Sequence, residues 1–542
     1  MNRLIKVSGV LTILLVGIAT TFRTEHGKYF EIAKNIEIFT NLYKEINTYY
    51  VDDLDPGKLM RTGVDAMLES LDPYTNYISE SEIEGFRYIT EGRYNGIGAL
   101  SRKIGDFITI TELYEGQPAD KAGLKVGDKL VAVDGTDAVG KNSEDVNNIL
   151  RGFPGTSVEL TIRRPGTPDD FKISLTRDEV KVPNVPYSGM LSDKVGYIAL
   201  TTFTRNAGKN VGSALQELQE QNPNMAGVVF DLRDNGGGLL TEAVNVSNVF
   251  IPKGELVVTT KGKVKEWDRS FKTLNRPIDE NIPLVTLING SSASASEIVS
   301  GVIQDLDRGV LLGQRSYGKG LVQNTRDVGY NSRVKLTTAK YYVPSGRCIQ
   351  GVSYEDGEPV NIPDEQRARF PTRNGRTVLD GGGVKPDMMV DKDEDSEILK
   401  QLRSEFLIFD YATEFVLRNT APEKATDFRF DKFDEFVQFL EARKFDYETK
   451  TENLLAELKA NAAADGYVLE SDLKALENSI VTAKKNDLEK HRAVIIDLIE
   501  KEIAGRYFYQ RGKIEISLRN DLEIKEAISL LGDSGKYNSL LQ

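Results

Sequence analysis

Three short segments of the chain contain residue types that could carry out acyl transfer. The first has four serines in six positions, from Ser291 to Ser296, shortly after an apolar run that ends at Ile288. An apolar helical face follows, so the serines are expected at a strand-to-helix turn, where a hydroxyl is exposed and helix amides point at developing negative charge. Serine is also a favoured N-cap residue, so an ordinary helix start is the alternative interpretation.

The second segment places Lys319 between two glycines, 25 residues after Ser294. A serine nucleophile needs a base, and the two histidines are poorly placed, since His26 follows an apolar leader and His491 lies in a polar helical tail. A lysine can take this role when burial disfavours its charged form. Gln323 follows four residues later, and we expect it on the same side of the chain, where its amide can orient the amine.

The third segment, Asp231 to Gly238, follows an apolar strand and ends in three consecutive glycines. Ligand crevices of open α/β sheets lie at the carboxyl ends of the strands, and glycines there leave backbone N–H groups available as donors. We predict that the amides of Gly237 and Ala295 form an oxyanion hole, although the sequence does not distinguish Gly236 from Gly237. A flexible turn is the alternative.

A fourth run, Tyr94 to Ala99, places two glycines around an apolar residue just before a strand. Consecutive amides of such a loop can hold a carboxylate, and a captured peptide can then extend as an added strand along the sheet edge. Gly96, Ile97, Gly98 and Ala99 are therefore the predicted binding residues for a substrate C-terminus. Without the glycine-rich turns that follow it, a plain hairpin would explain this loop equally well.

The elements that position these segments predict a multidomain α+β protein, since 542 residues exceed what one hydrophobic core usually organises. Helical spacing indicates an N-terminal helical domain over 27–93, and short strands with glycine-rich turns indicate a β module over 94–180. Alternating strands and helices indicate an α/β core over 181–394. A charge-rich helical domain is expected over 395–542.

The leader and the composition restrict location and partners. A basic N-terminus precedes the apolar run Val7 to Phe22, so residues 1–26 are predicted to direct export, as a cleaved signal peptide or a retained membrane anchor. A net charge of -13 without a clustered basic face argues against nucleic acid. The single cysteine, Cys348, allows no intrachain disulfide, and scarce Cys and His argue against zinc, so no metal or cofactor is predicted.

Taken together, the motifs resemble the carboxy-terminal processing, or tail-specific, peptidases, and the β module with its glycine loop resembles a PDZ domain. The resemblance covers roughly Phe30 to Val390 and rests on four segments: Asp231 to Gly238, Ser292 to Glu297, Tyr317 to Gln323, and Leu336 to Arg347. It implies a protease core of the ClpP/crotonase type. It also implies a catalytic pair of Ser294 and Lys319, supported by Gln323.

The implied function is a serine endopeptidase that recognises the C-terminal tails of proteins or peptides through its PDZ domain and cleaves them in the periplasm or cell envelope. The alternative is an envelope scaffold that binds such tails without cleaving them. The helical region after about Glu394 has no counterpart to align with the family. Its charge runs favour solvated faces, with a homo-oligomer or adaptor contact as the other interpretation.

Overall fold

The computed structural model describes residues 28–355, 358–390 and 396–542, which divide into two compact units between Tyr77 and Ile78. The predicted leader, residues 1–26, lies outside the described residues. The smaller unit contains a helix over residues 28–49 (α1) and a second helix, α2 (Pro56–Glu69), whose N-cap Asp55 accepts a hydrogen bond from the Lys58 amide. A short strand follows, β1 (Asn76–Ile78).

The β module follows a short helix, α3 (Ile83–Glu91), and is built on an antiparallel sheet in the order β3-β4-β5-β7-β8, with β6 beside β5. Because β3 is at the edge of this sheet, one side of its backbone can receive a further strand. Strands β2 and β9 pair separately where the chain enters and leaves the module. The elements are β2 (Arg93–Gly96), β3 (Ala99–Ile104), β4 (Phe107–Leu113), α4 (Pro118–Lys121), β5 (Lys129–Val133), β6 (Thr136–Asp137), α5 (Ser143–Leu150), β7 (Ser157–Arg163), β8 (Phe171–Thr176) and β9 (Asp178–Lys181).

The α/β core is organised by a six-stranded sheet in the order β10-β11-β12-β15-β16-β23, parallel except for β10. Every residue of β11, β12, β15 and β16 is buried, as expected for parallel strands covered on both faces. The elements of this sheet and the helices between them are β10 (Tyr187–Ser192), β11 (Val195–Ala199), α6 (Ala207–Gln221), β12 (Gly227–Asp231), α7 (Leu240–Phe250), β15 (Leu284–Ile288), α8 (Ala295–Asp305), β16 (Val310–Gly313) and β23 (Met388–Met389).

A smaller antiparallel sheet adjoins the core, with β13 between β14 and β18 and with β17 paired to β18. The hairpin of β17 and β18 begins two residues after Lys319, so it fixes the direction in which that segment leaves the site. The remaining strands form two short hairpins, β19 with β20 and β21 with β22. The bounds are β13 (Leu256–Gly262), β14 (Arg269–Lys272), β17 (Leu321–Gly329), β18 (Ser332–Tyr342), β19 (Val352–Glu355), β20 (Glu358–Asn361), β21 (Arg369–Pro371) and β22 (Thr377–Leu379).

The C-terminal helices serve two different hydrophobic cores. Helices α9 to α11 and the first part of α15 enclose an aromatic cluster around Tyr411 and Phe436, whereas α16 and α17 pack on the face of the main sheet opposite α6, α7 and α8. None of the described helices is both long and apolar enough to cross a bilayer. The bounds are α9 (Glu397–Ser404), α10 (Leu407–Arg418), α11 (Phe433–Ala442), α12 (Lys450–Ala464), α13 (Glu470–Lys484), α14 (Asp487–Lys490), α15 (Arg492–Ser517), α16 (Leu522–Gly532) and α17 (Ser534–Ser539).

Helix α15 bends where it meets the β module. Phe508 and Tyr509 depart from helical geometry, and Tyr509 has a φ of 55°. The Tyr509 ring packs against the core of the β module, and its hydroxyl donates to Asp120 Oδ1 at 2.8 Å. The predicted mixed architecture of helical, β and α/β parts is confirmed, and the C-terminal helices contact both the β module and the α/β core.

Candidate active site

Ser294 lies at the strand-to-helix turn that the sequence predicts, between β15 and α8. It is the N-cap of α8 and has φ 54° and ψ -110°, in a region that residues other than glycine rarely adopt. Strained backbone of this kind costs about 1–3 kcal/mol and is concentrated at functional sites, because the surrounding structure must hold it. A sharp strand-to-helix turn also exposes the nucleophilic serine of α/β-hydrolases above their sheet.

All five predicted catalytic and oxyanion residues line one cavity of about 590 Å³: Ser294, Lys319, Gln323, Gly237 and Ala295. The rest of the wall is mixed, with apolar side chains from Leu239, Leu240, Ile298, Leu321 and Val322 and polar ones from Thr90, Thr202, Asn324, Thr325, Lys335 and Tyr341. The cavity can therefore hold an extended peptide segment with an apolar side chain beside the serine. The chemical roles of the five residues stay predictions.

A buried carboxylate joins the serine segment to the lysine segment. Glu297 has no exposed surface, and its Oε2 accepts hydrogen bonds from the backbone amides of Ser294 and Lys319, both at 2.8 Å. Its Oε1 accepts from the Gly318 amide at 2.7 Å and from the Ser316 hydroxyl at 2.6 Å. One side chain thus fixes the backbone of both predicted catalytic residues, which lie on separate elements.

The environment of Glu297 sets two opposing influences on its proton affinity. Burial raises the pKa of Glu297 to about 7, because the charged carboxylate is removed from water. The four donated hydrogen bonds oppose this rise, since they stabilise the ionised form. The Ser316 hydroxyl already accepts from the Val384 amide at 2.6 Å, so its proton is directed at the carboxylate.

Tyr341 is a second side chain that ties the two segments together. It is buried in β18, and its hydroxyl lies 3.1 Å from the carbonyl oxygen of Ser294 and also hydrogen-bonds the carbonyl oxygen of Lys319. Both Glu297 and Tyr341 belong to motifs noted in the sequence, but their role in joining the two segments was not predicted, because Glu297 reaches Lys319 across 22 positions and Tyr341 reaches Ser294 across 47.

The glycines on either side of Lys319 are explained by close backbone packing. A Cβ on Gly318, which has φ 93°, would lie 2.9 Å from the Cα of Gly351. A Cβ on Gly320 would lie 2.5 Å from the backbone nitrogen of Gln350. The segment lies so close against residues 350–351 that no side chain fits at either glycine. Lys319, between them, is half-buried and lines the cavity.

Gln323 lies on β17 and lines the same cavity as Lys319, as predicted. Its amide nitrogen donates to Thr337 Oγ1 on the neighbouring strand β18 at 3.1 Å. This bond holds the Gln323 side chain against β18 at the wall of the cavity.

The glycine run offers a different oxyanion donor from the one predicted. The Gly237 amide donates to Asn235 Oδ1 at 2.9 Å, so it is already engaged. The Gly237 carbonyl accepts from the Phe203 amide at 2.9 Å, which turns the following amide, that of Gly238, the opposite way. Within the described residues, the amides of Gly238 and Ala295 have no hydrogen-bond acceptor. Gly238 and Ala295 are therefore the better pair of donors.

Gly237 is nevertheless required for the geometry. It has φ 99°, and a Cβ there would lie 2.7 Å from the Ala293 carbonyl and 2.9 Å from the Ala295 nitrogen. We expect Gly237→Ala to reduce kcat by about 10²-fold. The added Cβ forces the serine turn to shift, and a displacement of about 1 Å in a catalytic group can lower the rate by that factor. Steady-state kinetics on a cleaved peptide measure this. The matched control is Gly254→Ala, a positive-φ glycine with open space around its Cβ position.

The predicted tail-binding loop has its carbonyl groups turned into the β module. The Ile97 carbonyl accepts from the Ala119 amide at 2.7 Å, and the Gly98 carbonyl accepts from the Tyr114 amide at 3.1 Å. The amides that follow, of Gly98 and Ala99, therefore point the opposite way, where a carboxylate can approach. Gly98 has φ 81°, and a Cβ there would collide with the side chain of Gln117, so glycine is required.

A cationic side chain that the sequence analysis did not single out lies near this loop. Arg151 follows directly after α5, and the carbonyl of Leu150 lies 3.9 Å from where a Cβ on Gly96 would be. The Arg151 guanidinium lies 3.9 Å from where a Cβ on Gly85 of α3 would be, and its positive charge also acts on Tyr94 at the start of the loop. Arginine is the side chain best suited to a carboxylate.

Known family models match three parts of the chain. Residues 194–357 match peptidase family S41, residues 109–164 match a PDZ domain, and residues 398–531 match the C-terminal helical domain of probable PDZ-proteases. Along the chain, the matches fall first in the β module, then in the α/β core and last in the C-terminal helices. The exact domain boundaries stay predictions.

Individual proteins extend this similarity. A carboxy-terminal-processing protease of Bartonella bacilliformis is 35% identical over 354 residues, which cover 65% of this chain and 80% of that protein. A probable CtpA-like serine protease of Staphylococcus aureus is 33% identical over 336 residues, which cover 61% of this chain and 66% of that protein. The solved photosystem II D1 C-terminal processing protease shares 28% identity with a TM-score of 0.36, covering 65% of this chain and 92% of that one.

Proposed function

Because the chain belongs to peptidase family S41 and is a protease with a PDZ domain, we propose that it is a serine endopeptidase in which Ser294 is the nucleophile and Lys319 the base. The observation that carries this proposal is the buried Glu297, which binds the backbone amides of both residues where they line one cavity. No metal or cofactor takes part in the proposed reaction.

The proposed reaction is acyl transfer in two steps. Neutral Lys319 takes the proton of Ser294 as Oγ attacks the scissile carbonyl, and the amides of Gly238 and Ala295 stabilise the resulting oxyanion. The Lys319 ammonium then gives its proton to the leaving amine as the peptide bond breaks. A water molecule, deprotonated by Lys319, attacks the acyl-enzyme and releases the second product with Ser294 reprotonated.

Substrate selection is proposed to depend on the PDZ domain. A substrate tail would place its terminal carboxylate at the amides of Gly98 and Ala99 and extend along the edge strand β3. In the structure, helix α5 lies beside this edge, and its Ser143 hydroxyl accepts a hydrogen bond of 3.1 Å from the backbone amide of Lys103. An incoming peptide strand would replace that bond, so recognition combines main-chain pairing with the charge of Arg151.

Replacing Arg151 should separate tail recognition from catalysis. We expect Arg151→Gln to raise the Kd for a peptide with a free apolar C-terminus by about 10-fold, because one charged hydrogen-bonding partner is worth about 1.5–3 kcal/mol. Fluorescence polarisation in the Ser294→Ala background measures binding without cleavage. The same peptide with an amidated C-terminus should bind Arg151→Gln and its parent equally, and Lys125→Gln, an exposed cation on the same module, should have no effect.

The function as a whole is tested with a folded protein that carries an apolar C-terminal tail. We expect mass spectrometry to detect cleavage products, and we expect an otherwise identical substrate with an acidic tail to be cleaved much more slowly. A protein that binds the apolar tail and never cuts it is instead a scaffold.

We also propose that the protease is exported and acts in the periplasm or cell envelope, with the N-terminal leader removed or retained as an anchor. The basis is the apolar run Val7 to Phe22 behind a basic N-terminus. Fractionation of cells that express the full chain tests this, and recovery in the cytoplasmic fraction would contradict it.

A further inference from the structure

Helix α16 brings two carboxylates back to the strand that carries the glycine run. Arg233 follows β12, and its guanidinium binds Asp231 at 2.6 Å, Asp521 at 2.6 Å and also Glu523. Asp521 is the N-cap of α16, and Glu523 lies in its first turn. The side chains of Arg233 and Glu523 are largely buried, 14% and 7% exposed, so these ion pairs are only weakly screened by solvent.

Glu523 also reaches the strand that leads to Lys319. Its Oε1 accepts a hydrogen bond from the side-chain amide of Gln314 at 3.2 Å. Gln314 directly follows β16, and its own backbone amide donates to the Ile288 carbonyl at the end of β15. Glu523 therefore spans the carboxyl ends of β12 and β16, one of which leads to the oxyanion glycines and the other to the base.

The Arg233 side of this cluster is coupled to the serine turn. Two residues after Arg233, the carbonyl of Asn235 accepts from the Ala293 amide at 3.0 Å and from the Ser296 hydroxyl at 2.8 Å. The Asp234 amide donates to Asn289 Oδ1 at 3.0 Å. These bonds connect the loop that follows Arg233 to the residues on either side of Ser294.

We propose that Glu523 and Asp521 are positioning residues for proteolysis, which hold the ends of β12 and β16 so that the oxyanion amides and Lys319 meet Ser294 in reactive geometry. This inference rests on the proposed serine-lysine chemistry. It makes the C-terminal helical region part of the active-site scaffold, although neither carboxylate lines the cavity. Buried ion pairs add little net stability compared with apolar packing, so a role in geometry accounts better for three carboxylates around one arginine.

The test compares Glu523→Gln and Asp521→Asn with Glu526→Gln, an exposed carboxylate on the same helix, all in the full chain. We expect Glu523→Gln to lower kcat by about 10–100-fold with KM and tail-peptide Kd unchanged, because misplacement of catalytic groups acts on the chemical step. Asp521→Asn should show a smaller effect in the same direction, and Glu526→Gln none. The rate at which a fluorophosphonate labels Ser294 should fall in parallel with kcat.

A purely structural role gives a different result. Glu523→Gln would then lower the melting temperature while kcat, measured well below that temperature, stays at the parent value, and this outcome overturns the proposal. Hydrogen–deuterium exchange gives a second readout that does not depend on cleavage. Exchange in residues 234–238 and 314–320 should rise in Glu523→Gln and not in Glu526→Gln, and unchanged exchange in both also overturns it.

The failure of this inference can be told from failure of the proposed function. If Ser294→Ala still cleaves, the catalytic assignment is wrong, whatever Glu523→Gln does. If Ser294→Ala is inactive and Glu523→Gln has full kcat and unchanged exchange, the catalytic assignment stands and only the role of α16 is wrong.

Discussion

Replacing either Ser294 or Lys319 with alanine is expected to reduce kcat for peptide cleavage by about 10³-fold or more, while tail peptides still bind. In the proposed mechanism Ser294 provides the attacking oxygen, and Lys319, one of two lysines that line the cavity, accepts its proton. Because the two act as one unit, the double variant should be no less active than either single variant. Quantitative mass spectrometry of the cleavage products measures all three.

Matched controls come from the same elements. Ser291 belongs to the same serine run but is exposed, and Lys340 is exposed on β18 opposite Leu321, so Ser291→Ala and Lys340→Ala should cleave like the parent. Full activity in Ser294→Ala or in Lys319→Ala would show that the assigned pair is wrong. An equal loss in the control variants would show that the effect is not specific to the site.

Glu297→Gln is expected to lower kcat by about 10²-fold and to destabilise the fold by about 3 kcal/mol, because each buried donor left without its acceptor costs about 1–3 kcal/mol. All four partners of the carboxylate donate hydrogen bonds: three amides and the Ser316 hydroxyl. In either orientation, the NH₂ group of a glutamine would face donors, so hydrogen bonds at the serine or lysine segment are lost.

Thermal unfolding and kinetics together measure this effect. Glu242 is a suitable control, since it is also a buried glutamate but lies away from the cavity and accepts one hydrogen bond, from the Gly208 amide at 3.0 Å. We expect Glu242→Gln to lose some stability and keep its kcat. If Glu297→Gln kept the parent kcat, the carboxylate would not be needed to hold the two segments.

The raised pKa of Glu297 also predicts a pH dependence of stability. Its ordinary value is 4.5 and its value in the folded protein is about 7, so between these limits the folded protein binds the proton more tightly than the unfolded chain does. The stabilisation from this group is complete below about pH 4.5 and is lost as the pH rises through about 7. The free energy of unfolding of the parent should fall over that interval relative to Glu297→Gln, and parallel curves for the two proteins would contradict this.

Much of the site could be predicted from the sequence because its chemistry lies in short local motifs. Residue type and spacing drew attention to the serine run, Lys319 and Gln323, the resemblance to the family selected Ser294 from that run, and the structure places all three in one cavity. The oxyanion donor was harder to predict. The choice among three glycines depends on the Asn235 side chain, which accepts the Gly237 amide hydrogen bond, and on the Phe203 amide, which donates to the Gly237 carbonyl.

The supporting residues could not be assigned because the contacts that join the two segments cross a longer separation, although Glu297 lies only three residues from Ser294. Glu297 could be read only as part of a serine-rich motif, and Tyr341 only as part of another motif, until the fold placed both beside Ser294 and Lys319. The contacts of α16 with Arg233 carry no local signal at all. The sequence does indicate in general that some helix must cover the second face of the sheet, because its strands are apolar on both faces. In the structure α16 and α17 cover that face.

The distance along the chain between Arg233 and its partners affects the order in which the protein matures during synthesis. Asp521 and Glu523 lie 288 and 290 positions after Arg233. At about 5–20 residues per second, roughly 15–60 s pass between synthesis of the arginine and synthesis of these carboxylates. For the last 202 of the 288 positions up to Asp521, the nascent polypeptide already contains Ser294 and Lys319, but Arg233 has only Asp231 of its three carboxylate partners. On the role proposed for Asp521 and Glu523, the active-site scaffold is therefore completed only when the last part of the chain has been made.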